Sequence, residues 1–383
     1  MKIAVLGYGV VGSAVVKRIE EDPSLSLKAI LVLPSQVDRH PLAVDDYTII
    51  LNDPEIDIVI EVLTGVFPAY DFVRAALEKG KHVISSNKAL LIAKGLDLNA
   101  LSYEKHCALR FSAACGGGIP ILADLYQHKA EGLLSINAIL NGTSNYILDQ
   151  MEREHSQFDE ALSGAQTLGY AEKDPSDDLS GKDSCRKLLL AMAVSKDKWI
   201  AENDVLTEGI SFLQAKDFAT FKKLNRNCRL NAQIEIHDDS IAMSVLPTLL
   251  KTSSFQASMH NNENGIHYTT SKDSYSLRGY GAGGDPTSLN IIKDIKAIID
   301  NAYHLFSPQL NPIAINTQPI LKRFYIQSNQ ALNEIEVISE RHWQDASFYY
   351  LTKMSDLKTI LAKVSEYRKS GIHISLCAIE GEL

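Results

Sequence analysis

The stretch Lys2-Ile3-Ala4-Val5-Leu6-Gly7-Tyr8-Gly9-Val10-Val11-Gly12-Ser13-Ala14-Val15-Val16 passes from a short apolar run through a glycine-spaced turn into an apolar pattern of helical period. In that setting each glycine has its own task. Gly7 permits the tight turn, Gly9 lets a pyrophosphate approach the backbone, and Gly12 lets the new helix pack closely on the strand. The amides at the helix start have no partner of their own and carry a partial positive charge, which suits phosphate. A dinucleotide is therefore expected on Gly7, Tyr8, Gly9, Val10, Val11 and Gly12. An ordinary glycine-rich turn has no reason to sit between the first strand and its helix.

Outward from this loop, apolar runs alternate with amphipathic ones: residues 10–20, 27–33, 56–62, 71–78 and 82–86. This β-α-β rhythm predicts a parallel sheet covered by helices. Asp57-Ile58-Val59-Ile60-Glu61-Val62 is almost continuously apolar, as a central strand buried on both faces must be. Past Gly116-Gly117-Gly118-Ile119-Pro120 the pattern changes. Helical spacing marks 145–153, 158–168, 184–194 and 204–209, and strand alternation marks 229–237 and 241–246. The expected fold class is thus α/β: a Rossmann-type dinucleotide-binding domain at 1–129, completed by 286–312 through a helix at 286–305. An α+β substrate and dimerisation domain follows at 130–285, and a small α+β unit at 318–383.

The chain has 383 residues, with 38 Lys and Arg against 47 Asp and Glu, a net charge of −9 and no basic block. Such a surface repels phosphate backbones and anionic membranes, so no nucleic-acid partner is expected. The five cysteines include no CxxC pair, which points to reduced thiols in the cytoplasm. No apolar run reaches the length of a membrane span.

The end of the second strand, Ile30-Leu31-Val32-Leu33-Pro34-Ser35, has no carboxylate for a ribose 2′-hydroxyl. NAD thus loses its usual anchor, and Arg39 a few residues on could neutralise a 2′-phosphate. That tips the choice between NAD and NADP toward NADP. Two polar constellations follow. Ser85-Ser86-Asn87-Lys88 puts a lysine just past the end of a parallel strand, on the edge where such sheets bind ligands. Gly169-Tyr170-Ala171-Glu172-Lys173-Asp174-Pro175-Ser176-Asp177-Asp178 continues through Gly181 and Asp183 to Lys187. Asp183 and Lys187 stand four apart and share a helix face, ahead of the apolar run Leu188-Leu189-Leu190-Ala191-Met192. A charged pair at the mouth of a buried helix suits work on a proton better than it suits a solvated surface.

Asn141-Gly142-Thr143-Ser144-Asn145-Tyr146-Ile147, the acidic run from Gly169 to Lys187, the Asn87-Lys88 pair and the late loop Gly279-Tyr280-Gly281-Ala282-Gly283-Gly284-Asp285-Pro286-Thr287 together resemble homoserine dehydrogenases over about residues 1 to 310. The resemblance implies reversible NAD(P)-dependent interconversion of L-homoserine and L-aspartate 4-semialdehyde in threonine and methionine biosynthesis, by a cytoplasmic homodimer. Position by position, it implies Lys88, Lys187 and Asp183 as catalytic. It implies substrate contacts from Glu172, Asp178, Tyr170, Asn141, Gly142 and Thr143, with Thr143 also free to cap the helix behind it. Thr64, Ser86, Asn87, Lys88 and Gly281 would join Arg39 and the glycine loop around the cofactor. Where the family carries a glutamate for a monovalent cation, this chain has Ser112, so no metal is expected. The last unit resembles an ACT module whose first helix and Pro-Gly turn are missing.

Two rivals stand beside this reading: a dehydrogenase of a related amino-acid alcohol, and an inactive cofactor-sensing regulator. An acyl-phosphate-forming aldehyde dehydrogenase needs a cysteine with a histidine partner, and Cys115 has none nearby in sequence. The regulator would have no use for Lys88, Glu172, Asp183 and Lys187 together.

Overall fold

The computed structural model describes residues 1–237 and 240–382. They form two compact units: residues 1–132, 189–199 and 279–313, and the described residues within 133–188, 200–278 and 314–383.

In the first unit six parallel strands lie in the order Ala43–Val44, Ser26–Leu31, Lys2–Leu6, Ile58–Glu61, His82–Ser85, Leu109–Arg110. The order reverses between Lys2–Leu6 and Ile58–Glu61, which places the crevice of a doubly wound sheet at the glycine loop. Ile58, Val59 and Ile60 are fully buried, as their unbroken apolar run requires. One layer of core joins Ile3, Val5, Ile30 and Ile60 of the sheet to Val15 and Ile19 of helix Val10–Glu21. Ile291, Ile295 and Ile298 of helix Gly284–Ile299 complete it. That last helix was expected to run to 305, but it stops at Ile299, and Asn301 turns left-handed at φ 61° just beyond.

The second unit is built on an 11-stranded mixed sheet. Its centre is the antiparallel pair Arg226–His237 and Ser240–Lys251, in register over its whole described length and longer than the sequence pattern suggested. The helix expected at 204–209 does not form. A single 3-10 turn, Glu202–Asp204, leads into Leu206–Thr207, which pairs in parallel with Ser244 and Val245. An edge offering unpaired backbone groups overrides a weak helical spacing.

Residues 321–379 fold as strand, helix, strand, strand, helix, strand. The strands lie in the order Ile374–Ile379, Leu321–Ser328, Phe348–Thr352, Ser339–Gln344. The first helix, read as missing, is present as the five residues Asn333–Val337, too short to leave a period in the sequence. Leu332, Ile335, Leu357, Ile360 and Val364 pack its two helices onto Phe324, Ile326, Leu376 and Ala378. Ile374–Ile379 also pairs with Thr248 and Leu249, so this module shares one sheet with the rest of its unit.

Candidate active site

Strand Lys2–Leu6 ends in Gly7 at φ 105°, and helix Val10–Glu21 begins after Gly9 with no side chain capping it. A Cβ on Gly12 would stand 2.1 Å from the Gly7 carbonyl oxygen, so no larger residue fits there. Over Gly9, by contrast, no heavy atom lies within 4 Å of where a Cβ would be. Uncapped amides below and open space above are what a pyrophosphate needs, so the loop fits a dinucleotide. Tyr8 is flanked by Arg39, whose guanidinium carbon lies 5.4 Å from its ring centre. Arg39 ends the 3-10 turn Pro34–Arg39 directly after the second strand and is exposed.

At the same edge of the sheet the strand Ile58–Glu61 ends in a carboxylate that the sequence reading passed over. Glu61 is fully buried and accepts hydrogen bonds from Ser85 Oγ (2.5 Å), Leu63 N (2.7 Å) and Asn87 Nδ2 (3.3 Å). Burial pushes its carboxyl up, against those three donors. Asn87 also donates to Gly65 O at 2.6 Å, and its Oδ1 accepts from Leu90 N, capping helix Lys88–Glu104. Lys88 is thus the first helical residue, half-buried, its backbone set by Asn87. Ser86 donates its amide to the Glu61 carbonyl, and Thr64 is exposed in the adjoining turn.

The two later glycine loops meet backbone to backbone. A Cβ on Gly117 would stand 2.6 Å from the Gly281 carbonyl, and Gly118 donates its amide to Tyr280 O. Ser112, where a carboxylate was looked for, gives both its amide (2.8 Å) and its hydroxyl (2.7 Å) to Asp294, which also binds Arg110 Nε at 2.8 Å. Its amide and hydroxyl hydrogens thereby tie the loop to helix Gly284–Ile299. Among the described residues no three His, Cys, Asp or Glu side chains gather as a metal site.

In the second unit, strand Leu133–Ile139 runs through Leu140 into helix Gly142–Arg153. The helix is capped by Asn141, whose Oδ1 accepts from Ser144 N at 2.7 Å, and not by Thr143. Thr143 is already inside the first turn, with its hydroxyl donating to Tyr170 O at 2.6 Å. The Asn141 amide nitrogen donates to Asp178 at 2.6 Å and to Asp183 at 2.9 Å, bridging two carboxylates that would otherwise repel. Asp183 in turn pairs with Lys187 at 2.8 Å, and Lys187 donates to the Leu140 carbonyl at 2.6 Å. The helical spacing read from the sequence therefore brings Asp183 and Lys187 together, both nearly buried. Tyr170 contributes its carbonyl and packs its ring on Tyr146. Glu172 is exposed, and no described hydrogen bond ties its carboxylate to Asp178 or Asp183. Neither the bridging amide of Asn141 nor the Leu140 carbonyl was legible, because both depend on a strand end meeting a distant helix start.

A family model described as homoserine dehydrogenase matches residues 120–295, and one described as homoserine dehydrogenase, NAD binding domain, matches residues 7–112. The chain is 32% identical over 322 residues to the homoserine dehydrogenase of Bacillus subtilis, covering 79% of this chain and 73% of that protein. The crystal structure of an S. aureus homoserine dehydrogenase superposes with a TM-score of 0.75 at 28% identity, covering 100% of this chain and 99% of that one. In fold alone, a homoserine dehydrogenase from Thiobacillus denitrificans has a TM-score of 0.88 at 24% identity, covering 99% and 98% of the two chains. With these matches, a dinucleotide loop on one unit and, on the other, a lysine held between a carboxylate and a backbone carbonyl, the chain belongs to the homoserine dehydrogenase family of NAD-binding oxidoreductases.

Proposed function

We propose that Lys187, Asp183 and Lys88 carry the interconversion of L-homoserine and L-aspartate 4-semialdehyde. The observation that supports this most is the Asn141 amide bridging Asp178 and Asp183, with Lys187 fixed between Asp183 and the Leu140 carbonyl. A lysine so fixed cannot swing, so its proton is aimed. In the reducing direction the Lys187 ammonium gives that proton to the aldehyde oxygen as it gains negative charge; in the oxidising direction the amine takes it back. Asp183 orients Lys187. Lys88 serves as the second lysine, polarising the substrate, on the strength of the family likeness. Glu172 and Asp178 hold the substrate ammonium, with Tyr170, Gly142 and Thr143 around it. The nicotinamide dinucleotide, when bound, supplies or accepts the hydride. Gly7 to Gly12, Thr64, Ser86, Asn87 and Gly281 would hold it.

In this reading residues 1–129 with 286–312 bind the cofactor, 130–285 bind substrate and pair two copies as a homodimer, and 318–383 form an ACT-like module. The described cysteines form no disulfide, which suits the cytoplasm. An inactive cofactor sensor would have no use for so closely bonded a lysine.

Homoserine-dependent reduction, followed at the reduced-nicotinamide absorbance band, tests the site. Asn141→Ala removes two hydrogen bonds to carboxylates; with the equivalent of one of them, about 1.5–3 kcal/mol, felt in substrate binding, it should raise the homoserine KM roughly ten- to a hundred-fold. A KM within about two-fold of the parent's would remove Asp178 and Asp183 from the substrate site.

The preference for NADP rests on Arg39 beside Tyr8 and on the missing acid after Leu31. Arg39→Ala is expected to raise the KM for NADP about ten-fold or more, the loss of one charge-assisted contact, and to leave that for NAD little changed. An equal effect on both cofactors would sink this preference.

A further inference from the structure

Asp178 and Asp183 stand on two different helices. Ser176–Leu179 carries the first, Lys182–Lys196 carries the second together with Lys187, and the corner between them is Ser180-Gly181, with Gly181 left-handed at φ 84°. Besides the Asn141 amide that bridges them, the register of the two carboxylates depends on how that short corner is backed. The backing comes from residues 206–213, which overlap the 204–209 segment whose sequence resembled a helix. Ile210 donates its amide to Leu179 O at 2.9 Å, and a Cβ on Gly209 would stand 2.5 Å from that same oxygen. Thr207 Cγ2 lies 3.0 Å from where a Cβ on Gly181 would be. The contact is backbone on backbone, with no slack.

The far side of this strap is gripped by the C-terminal module. Arg368, near the end of helix Leu357–Lys369, donates to both oxygens of Glu208 at 2.9 and 3.2 Å. Its guanidinium carbon lies 3.7 Å from the centre of the Phe212 ring, and its remaining donors close on Ile374 O. Ser375 Oγ donates to Phe212 O at 2.7 Å. The Arg368 and Glu208 side chains are 14% and 11% exposed, so the pair is not a solvated one that salt would dissolve. Glu208 donates its own amide to Val245 O, which anchors the strap to the central sheet.

We infer that Arg368 and Glu208 are positioning residues for homoserine, through which the C-terminal module sets the corner between Asp178 and Asp183. This rests on the assignment of those two carboxylates to the substrate site. Neither residue touches substrate. They act through Glu208–Ile210 on Leu179–Gly181, so their loss loosens substrate binding and leaves the dinucleotide loop untouched.

Steady-state kinetics on the full-length enzyme test this. Arg368→Gln and Glu208→Gln should each raise the homoserine KM by roughly two- to thirty-fold, the range expected for coupling through packed neighbours, with the dinucleotide dissociation constant unchanged within about two-fold. Arg368→Lys should recover part of the loss. Gly209→Ala leaves the ion pair intact but presses on Leu179 O, and it should give the same split between homoserine and cofactor. Leu332→Ala, in the core of the module and with no part in the Arg368–Glu208 pair, lowers thermal stability and should leave the homoserine KM alone. A KM raised as much by Leu332→Ala as by Arg368→Gln would mean generic loosening and overturn the proposal. So would a normal KM in folded Glu208→Gln and Gly209→Ala proteins. Asn141→Ala, measured alongside, separates the two ideas: a normal KM there removes the carboxylate assignment. A raised KM there with normal values in the strap variants removes only the strap.

Discussion

Lys187→Ala is expected to lower kcat for homoserine turnover by about 10²–10⁴-fold, the usual worth of a positioned proton donor. The dinucleotide dissociation constant should move by less than about three-fold, since the role proposed for Lys187 is toward the alcohol proton and not toward the dinucleotide. The size of the effect follows from how the nitrogen is held, by Asp183 at 2.8 Å and the Leu140 carbonyl at 2.6 Å, which fix its position against the alcohol it is proposed to serve. Lys187→Arg keeps the charge but replaces a point donor by a planar fork that cannot sit in the same place, so it should rescue little. A Lys187→Ala enzyme that kept a tenth of the parent kcat would show that another group moves the alcohol proton.

The second large effect is on stability. Asp294→Asn should cost about 3–5 kcal/mol, because removing one partner of a buried ion pair strands the other in a medium that cannot solvate it. The Asp294 side chain is 1% exposed and that of Arg110 8% exposed. Asp294 accepts from Arg110 Nε and from the amide and hydroxyl of Ser112, and burial raises its carboxyl against these partners. An asparagine turns one of those acceptors into a donor facing donors. Urea unfolding should show a lower midpoint at unchanged slope. A loss under about 1 kcal/mol would mean that Arg110 finds another acceptor, of which Ala302 O, already at 2.7 Å, is the nearest at hand.

Much of this was legible in the sequence wherever one segment carries its own explanation. Gly7, Gly9 and Gly12 announce strand, turn and helix because each glycine answers a local steric demand. Asp183 and Lys187 announce a shared helix face because their spacing is that of one turn. What escaped was whatever a second segment supplies. Asn141 displaced Thr143 as the cap because its side chain also satisfies Asp178 and Asp183, residues about forty positions away. Leu206–Thr207 became a strand because Ser244–Val245 offered it an edge. Glu61 looked like one more residue of a buried strand, and its role came from Ser85 and Asn87, one strand over. The helix Asn333–Val337 was hidden for the simpler reason that one turn has no period to detect.

The cofactor-binding unit is assembled from three separate stretches, the last ending at residue 313. During synthesis, residues 1–132 therefore emerge with the underside of helix Val10–Glu21 uncovered, since Ile291, Ile295 and Ile298 have not yet been made. The wait spans 313 − 132 = 181 residues. At roughly 5–20 residues per second, this comes to about 9–36 s. Throughout that interval the apolar surface that Ile291, Ile295 and Ile298 will cover is one that a chaperone can grip, and the dinucleotide loop cannot be steadied by the helix it will finally lean on. The nucleotide grip is made before the other two stretches of its unit and is among the last parts of that unit to be finished.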